Sequence, residues 1–274
     1  MLDIDGTILN AQGAITPRTR RAIERAQAAG VVVALATARR YFSAAQFAAN
    51  LGLHGPVASY DGALIRHYPD SECWHSDPLP ALVGQVAVDT IARHGLQPLA
   101  QYDLEDGERI FTGPESGDTP WEATYFQLAP QLARRPLDEL CAGEHDPLRV
   151  VAFGPQEHLA RIAEEMRSLS CQLYLNPMGS YGSPELSIMS PTVSKGNALS
   201  ILSSRLHLSP AQTMAVGDSF NDLSMLRLAG LGVAMGQAPA EVRAVARALT
   251  APNTEDGAAV AIERYLLNGK APGV

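Results

Sequence analysis

A chain of 274 residues, with 46% hydrophobic and 18% charged residues, is long enough for two domains and too apolar to be disordered. Its formal net charge of -8 disfavours nucleic acid and anionic membranes as partners, and it repels phosphorylated molecules at long range; a site for one needs local positive charge from a metal ion, lysine or arginine. Three widely spaced cysteines, Cys73, Cys141 and Cys171, suggest neither a disulfide framework nor a metal site and fit a reduced, cytoplasmic setting; no membrane span or signal peptide is visible.

The first third alternates helix and strand signals. Thr16-Pro17 opens a helix, with Thr16 as cap and Pro17 at the first helical position, and Gly30 closes it. Val31 to Ala36 is wholly apolar and reads as a strand buried on both faces of a parallel sheet. A helix around Phe42 to Leu51 and a strand at Pro56 to Ser59 complete a β-α-β-α-β order, which implies right-handed crossovers. From about Leu79 the order becomes mixed. A helix and paired short strands lead through an irregular stretch to a strand at Leu148–Phe153, a helix around Glu157–Ser168 and a strand at Cys171–Leu175. The α/β rhythm is expected to resume near Leu186. It continues with a helix over Ser194–Leu206, a strand at Thr213–Val216, a helix over Asn221–Leu228, a strand at Gly232–Met235 and a last helix over Ala258–Leu267. The pattern predicts an α/β protein: a doubly wound, parallel-sheet core over 1–78 and 185–274, interrupted by an inserted α+β domain over 79–184.

Four places carry chemistry. In Asp3-Ile4-Asp5-Gly6-Thr7, two aspartates separated by one apolar residue stand at a strand end, where alternation sends both side chains to one face and where open α/β sheets bind ligands. Two carboxylates suit Mg²⁺, and one can act as a nucleophile toward phosphorus. Thr37 ends the Val31 strand, where its hydroxyl can donate to a phosphate oxygen, and Arg39 and Arg40 add positive charge. Lys195 stands at a helix start, a position that opposes the helix dipole and makes sense for a cation facing a phosphate. Gly217-Asp218-Ser219-Phe220-Asn221-Asp222 clusters two aspartates and an asparagine in one strand-to-helix turn, with Asp218 placed to reach a metal and Asn221 and Asp222 placed to cap or to support it. Each place alone has a plainer reading, as a solvated turn, a cap or a surface charge. Their convergence on one crevice at the strand ends favours a site.

These four segments, in this order and spacing, resemble the haloacid dehalogenase superfamily of phosphohydrolases. Val233-Ala234-Met235-Gly236 and Asn253-Thr254-Glu255-Asp256-Gly257 are similar to its Cof-type branch. The short gap from Asp5 to Thr37 holds one helix, whereas the long gap from Thr37 to Lys195 has room for a domain, which resembles the subclass IIB arrangement with a mixed α/β cap over the active site. The resemblance implies a phosphoric monoester hydrolase acting on small phosphorylated metabolites, such as sugar phosphates or phosphorylated cofactors, with specificity set by the cap. It implies Asp3 as nucleophile and Asp5 as general acid and base. It implies Mg²⁺ on Asp3, Asp218 and the backbone carbonyl of Asp5, with Thr37, Lys195 and Asn221 on the phosphoryl group and Asp222 in support. A catalytically silent binding protein on the same fold, and more weakly a phosphomutase, remain as alternatives; monomer and homodimer are both open. The chain departs from the family in three ways. Only Met1 and Leu2 precede Asp3, so a very short first strand is expected. Thr37-Ala38-Arg39 stands where Thr-Gly-Arg is usual, and Asp61-Gly62-Ala63 where Asn-Gly-Ala is frequent.

Overall fold

The computed structural model describes residues 1–129, 132–143, 145–177, 179 and 182–268. The chain divides into two compact units, Met1–His75 with Ser194–Val274, and Ser76–Val193. The first unit opens with β1 (Leu2–Asp3), α1 (Pro17–Ala28), β2 (Leu35–Ala36), α2 (Tyr41–Asn50), β3 (Gly55–Ser59), β4 (Leu64–Tyr68) and β5 (Cys73–Ser76). The second contains α3 (Ala81–Arg93), β6 (Pro98–Leu104), β7 (Gly107–Thr112), α4 (Ala123–Gln127), β8 (Leu132–Arg134), β9 (Arg149–Phe153), α5 (Gln156–Met166), β10 (Gln172–Asn176) and β11 (Glu185–Met189). The chain then returns to the first unit with α6 (Lys195–Arg205), β12 (Met214–Gly217), α7 (Leu223–Leu228), β13 (Leu231–Ala234), α8 (Ala240–Val245), β14 (Ala248–Leu249) and α9 (Gly257–Ile262).

The sheet of the first unit runs β14-β13-β12-β1-β2-β3-β4-β5. It is parallel from β14 to β3 and turns antiparallel at β4. Strand alternation splits its two faces by side-chain size. Leu2, Leu35, Val57, Val216 and Val233 pack with α1, α2 and α9 in one core, and Ala36, Ala58, Ala215 and Ala234 pack with α6, α7 and α8 in the other. Burial on both faces explains why these strands read as unbroken apolar runs. The strand order reverses direction at β1, with β2 on one side and β12 on the other, and the crevice at such a switch point is where doubly wound sheets bind ligands.

Two sequence expectations shift. The six apolar residues Val31–Ala36 form a strand only at Leu35–Ala36. The cause is the neighbour: β1 begins at Leu2, opposite Leu35, so the residues before Ala34 have no ladder partner on that side. The inserted unit also extends further than 184. Glu185–Met189 pairs antiparallel with both β10 and β9 and belongs to the second sheet, because its alternating buried residues, Leu186 and Ile188, complete that unit's core; the chain re-enters the first unit at Ser194.

The second unit's sheet runs β10-β11-β9-β6-β7-β8, antiparallel throughout except between β7 and β8. One face buries Ala100, Val150, Ala152, Leu186 and Ile188 against Val88 and Ile91 of α3 and Leu159 and Ile162 of α5. A second cluster joins Leu99, Ile110, Val151 and Phe153 to Tyr125 of α4. Buried polar groups of this unit satisfy one another: Arg149 donates to Gln101 (2.7 Å), Gln101 to Tyr125 (2.6 Å) and Ser187 to Glu185 (2.9 Å).

Candidate active site

β1 ends at Asp3, and residues Ile4–Ile8 follow as a wound turn. Alternation therefore places Asp3 but not Asp5, which lies past the strand end with φ -78° and ψ 120°. The turn depends on Gly6 at φ +78°, where a Cβ would stand 2.3 Å from Asp218 Oδ2. On the far side of β1, β12 ends at Gly217 and delivers Asp218 into the same crevice. Thr7 Oγ1 donates to Asp218 Oδ1 (3.0 Å), so the two turns are tied directly.

Lys195 is the hub. Ser194 caps α6 by accepting from the amide of Asn197, which starts the helix with Lys195 as its first residue. The side chain is 1% exposed, and Nζ donates to Asp3 Oδ1 (2.6 Å) and to Asp222 Oδ1 (2.6 Å). The other oxygen of Asp222 accepts from the amides of Asp218 (2.8 Å) and Ser219 (2.9 Å). Asp222 is thus fully engaged as a strut that fixes both the Asp218 turn and Lys195. A Cβ on Gly217 would come 2.5 Å from its carboxyl carbon, so this residue must be small for the strut to fit.

The remaining residues singled out in the sequence sit around this hub. Thr37 is buried at the end of β2, its amide donating to Ala58 O and its Oγ1 accepting from the amide of Arg39 (3.1 Å). Asn221 donates to Asp61 Oδ1 (2.8 Å), and Asp61 is buried at a positive φ of 54° with its amide on Thr37 O. Asp5 meets none of the buried carboxylates; both its oxygens accept from Arg39, Nε at 2.7 Å and Nη2 at 2.7 Å. Asp3, Asp218, Asp222 and Lys195 come together, and Asp5 stands apart with Arg39. Three contributors escape sequence reasoning as partners. Thr7 carries its signal inside the Asp-Gly-Thr turn. Ser224, whose hydroxyl accepts from the amide of Gly196 (2.9 Å), and Gln237, which donates to Gly6 O (2.6 Å), carry no local pattern, since only the folded chain brings them to the turn.

The electrostatics are dominated by crowded carboxylates. Burial pushes the Asp3 carboxyl well above the usual range, and Asp222 and Asp218 add to this against the pull of Lys195. Burial and Asp222 raise Asp218 to about 6, with Thr7 and Lys195 opposing. Burial pushes the Lys195 ammonium down, but Asp222, Asp3 and Asp61 together hold it well above the ordinary lysine range. One ammonium thus faces more buried carboxyl groups than it can neutralise. Carboxylate oxygens of Asp3, Asp218 and Asp222 lie within 4.8 Å of one another, and with those of Asp222 already taken, Asp3 and Asp218 have oxygens to offer a cation. An all-oxygen donor set fits a hard divalent ion such as Mg²⁺.

A sequence model described as haloacid dehalogenase-like hydrolase matches residues 1–262. The chain is 28% identical to pyridoxal phosphate phosphatase YbhA of Escherichia coli, over 97% of each chain. Its fold matches a haloacid dehalogenase-like hydrolase from Bacteroides thetaiotaomicron with a TM-score of 0.80 and 27% identity, covering 96% of this chain and 97% of that one. A structure described as a subclass IIB sugar phosphatase of the superfamily shares the fold at a TM-score of 0.77 and 22% identity, covering 96% and 97%.

Proposed function

The chain belongs to the haloacid dehalogenase-like hydrolases, and from that premise we propose that it is a magnesium-dependent phosphatase of small phosphorylated metabolites that works through an aspartyl-phosphate on Asp3. The observation that carries this reading is the buried Lys195, which fixes one oxygen of Asp3 and one of Asp222 at 2.6 Å beside Asp218. Phosphoryl transfer needs a positioned nucleophile and positive charge where the transferring oxygens gather, and this cluster supplies both.

In the proposed sequence a carboxylate oxygen of Asp3 bonds to phosphorus as the bond to the leaving oxygen breaks, and Asp5 gives that oxygen its proton. Asp5 then takes a proton from water, the water oxygen bonds to phosphorus, the acyl-phosphate bond breaks and Asp3 regains its carboxylate. Lys195 orients Asp3 and offsets charge on the phosphoryl oxygens, with Thr37 and Asn221 as further donors. Asp222 holds Lys195 and the Asp218 turn in place. Asp3, Asp218 and the backbone carbonyl of Asp5 would hold the Mg²⁺, whose bound charge stabilises the transferring phosphoryl group and relieves the carboxylate crowding.

The substrates we assign are sugar phosphates or phosphorylated cofactors. The reading draws support from the names of the relatives, one a pyridoxal phosphate phosphatase and one a sugar phosphatase. Release of phosphate from p-nitrophenyl phosphate tests the activity. We expect turnover that needs magnesium and that falls by about a thousand-fold or more in Asp3→Asn, which keeps the shape and loses the nucleophile. Comparable turnover by the folded variant, or none by the wild type across a panel of phosphorylated metabolites, contradicts the assignment.

A further inference from the structure

We propose that Arg39 is a phosphate-positioning residue held in reserve by Asp5: an arriving phosphoryl group takes the guanidinium from the carboxylate, and the same exchange releases Asp5 for its work as acid and base. The inference rests on the phosphatase reading and assigns a role to a pair that reading leaves unexplained.

Arg39 presents Nε and Nη2 side by side to the two oxygens of Asp5, each at 2.7 Å. That fork fits two phosphate oxygens equally well. While it is closed, both oxygens of Asp5 are engaged, and the carboxyl cannot be presented to a leaving group with its ordinary freedom.

Lys195 is 1% exposed and bridges two carboxylates, so pulling it away would strand buried charge. The Arg39–Asp5 pair has side chains 18% and 42% exposed. Water reaches this pair and screens it, so a dianion can displace it far more readily than it could Lys195. Of these two cations, Arg39 is the one a ligand can recruit.

The backbone of Arg39 is tied to the site on both sides: its amide donates to Thr37 Oγ1 (3.1 Å), and its carbonyl accepts from the amide of Tyr60 (2.9 Å). The guanidinium carbon lies 5.0 Å from the centre of the Phe47 ring, and Nη1 donates to Ser43 Oγ (3.3 Å). The stem is therefore held beside Thr37, the residue proposed to touch the phosphoryl group, and a short swing of the head exchanges partners without moving the loop.

A double-mutant cycle on phosphate binding tests this. Calorimetric titration of inorganic phosphate, with magnesium present, compares wild type, Asp5→Asn, Arg39→Ala and the double variant. Loss of a charged donor pair should weaken binding about ten-fold in Arg39→Ala. Asp5→Asn should tighten it several-fold by freeing the fork, and that gain should vanish in the Arg39→Ala background. If Asp5→Asn tightens binding equally in both backgrounds, Asp5 acts by simple charge repulsion and the exchange is wrong. Unchanged affinity in Arg39→Ala also overturns it. Should Arg39→Ala lose its fold along with the Phe47 contact, Arg39→Lys replaces it: the charge stays, the fork is lost, KM rises more than kcat falls, and most of the Asp5→Asn gain disappears. A wild type that neither binds phosphate nor hydrolyses an aryl phosphate removes the phosphatase reading itself, and this inference with it. Activity with an uncoupled cycle removes this inference alone.

Discussion

The two ends of β1 are built in opposite ways. At the carboxyl end, Asp3 is buried among polar partners that satisfy one another: Lys195 bridges it to Asp222, and Asp222 holds the neighbouring turn. At the amino end, Met1 and Leu2 border an apolar groove of about 310 Å³, lined by Val31, Val33, Leu202, Leu206, Thr213 and Met214 among others. The amine of Met1 lies at the head of this groove, donating to Met214 O (2.7 Å), and burial pushes its pKa down to about 5. At the carboxyl end the charges are fixed by hydrogen bonds, with Lys195 offsetting part of the carboxylate charge. At the other end burial against apolar walls holds an amine in its neutral form, which lowers stability below pH 8 without serving the site. Asp3 is therefore held by cross-bracing from α6 and the β12 turn rather than by the length of the strand that carries it.

The largest effect should come from removing the brace. Lys195→Met leaves Asp3 and Asp222 buried without their cation, and breaking such a pair costs about 3–5 kcal/mol. We expect a large fall in melting temperature in metal-free buffer, partly recovered by magnesium. A variant as stable as the wild type would mean that Lys195 does not organise the cluster.

Next comes the opposite end. Continuing the parallel register, residues placed before Met1 would lie opposite Val33, Val32 and Val31 on one side, and Met214, Thr213 and Gln212 on the other. A short apolar extension would bury side chains at about 1.5–3 kcal/mol each, against about 1–2 kcal/mol per residue of ordering entropy. A net gain of about 2 kcal/mol follows for two or three residues, with a higher melting temperature. Because the site is braced independently, turnover should change less than stability does; an extension that leaves the melting temperature unmoved would show the groove to be unsuited to a longer strand.

The Met1 amine also sets a pH dependence of stability. Unfolded it titrates near 8, folded near 5, so between these values the unfolded chain holds the extra proton and stability rises with pH. Three pH units correspond to at most about 4 kcal/mol, and less here because Met1 keeps partial exposure. Asp218, raised to about 6, works the other way, losing stability as pH climbs from about 4 to 6. Acetylating the α-amine isolates the first effect: the acetylated protein should lose the rise between pH 5 and 8, as followed by melting temperature. Equal pH dependence in both forms would contradict burial of a neutral amine. A smaller loss is expected from Gly6→Ala, whose φ of +78° alone costs about 1–2 kcal/mol. Its Cβ also displaces Asp218, so magnesium affinity should fall together with stability, and unaltered magnesium affinity would contradict the placement of Asp218.

Most of the fold was legible because the core strands are buried on both faces and the helices carry their own start signals, as at Thr16-Pro17 and Ser194-Lys195. What failed was context. Val31–Ala34 has the composition of a strand, but ladder pairing depends on how far β1 reaches, and no local pattern encodes that. Glu185–Met189 reads like a core strand for the same reason: only its partners, β9 and β10, assign it to the other sheet. At the site, motif spacing pointed to Asp3, Lys195, Asp218 and Asp222, since each ends a strand or starts a helix. The pairing of Asp5 with Arg39, and of Asn221 with Asp61, depends on side-chain directions in turns with unusual backbone angles, which periodicity does not reach.

Asp3 is expected to carry the phosphoryl group during turnover. Enzyme quenched in the steady state and treated with borohydride should show Asp3 reduced to homoserine, located by peptide mass spectrometry, because an acyl phosphate is reduced where a free carboxylate is not. The modification should require both substrate and magnesium, and it should increase in Asp5→Asn, which slows release of the intermediate more than its formation. Turnover with no reduction at Asp3 in either protein, or reduction at another aspartate, would contradict the account.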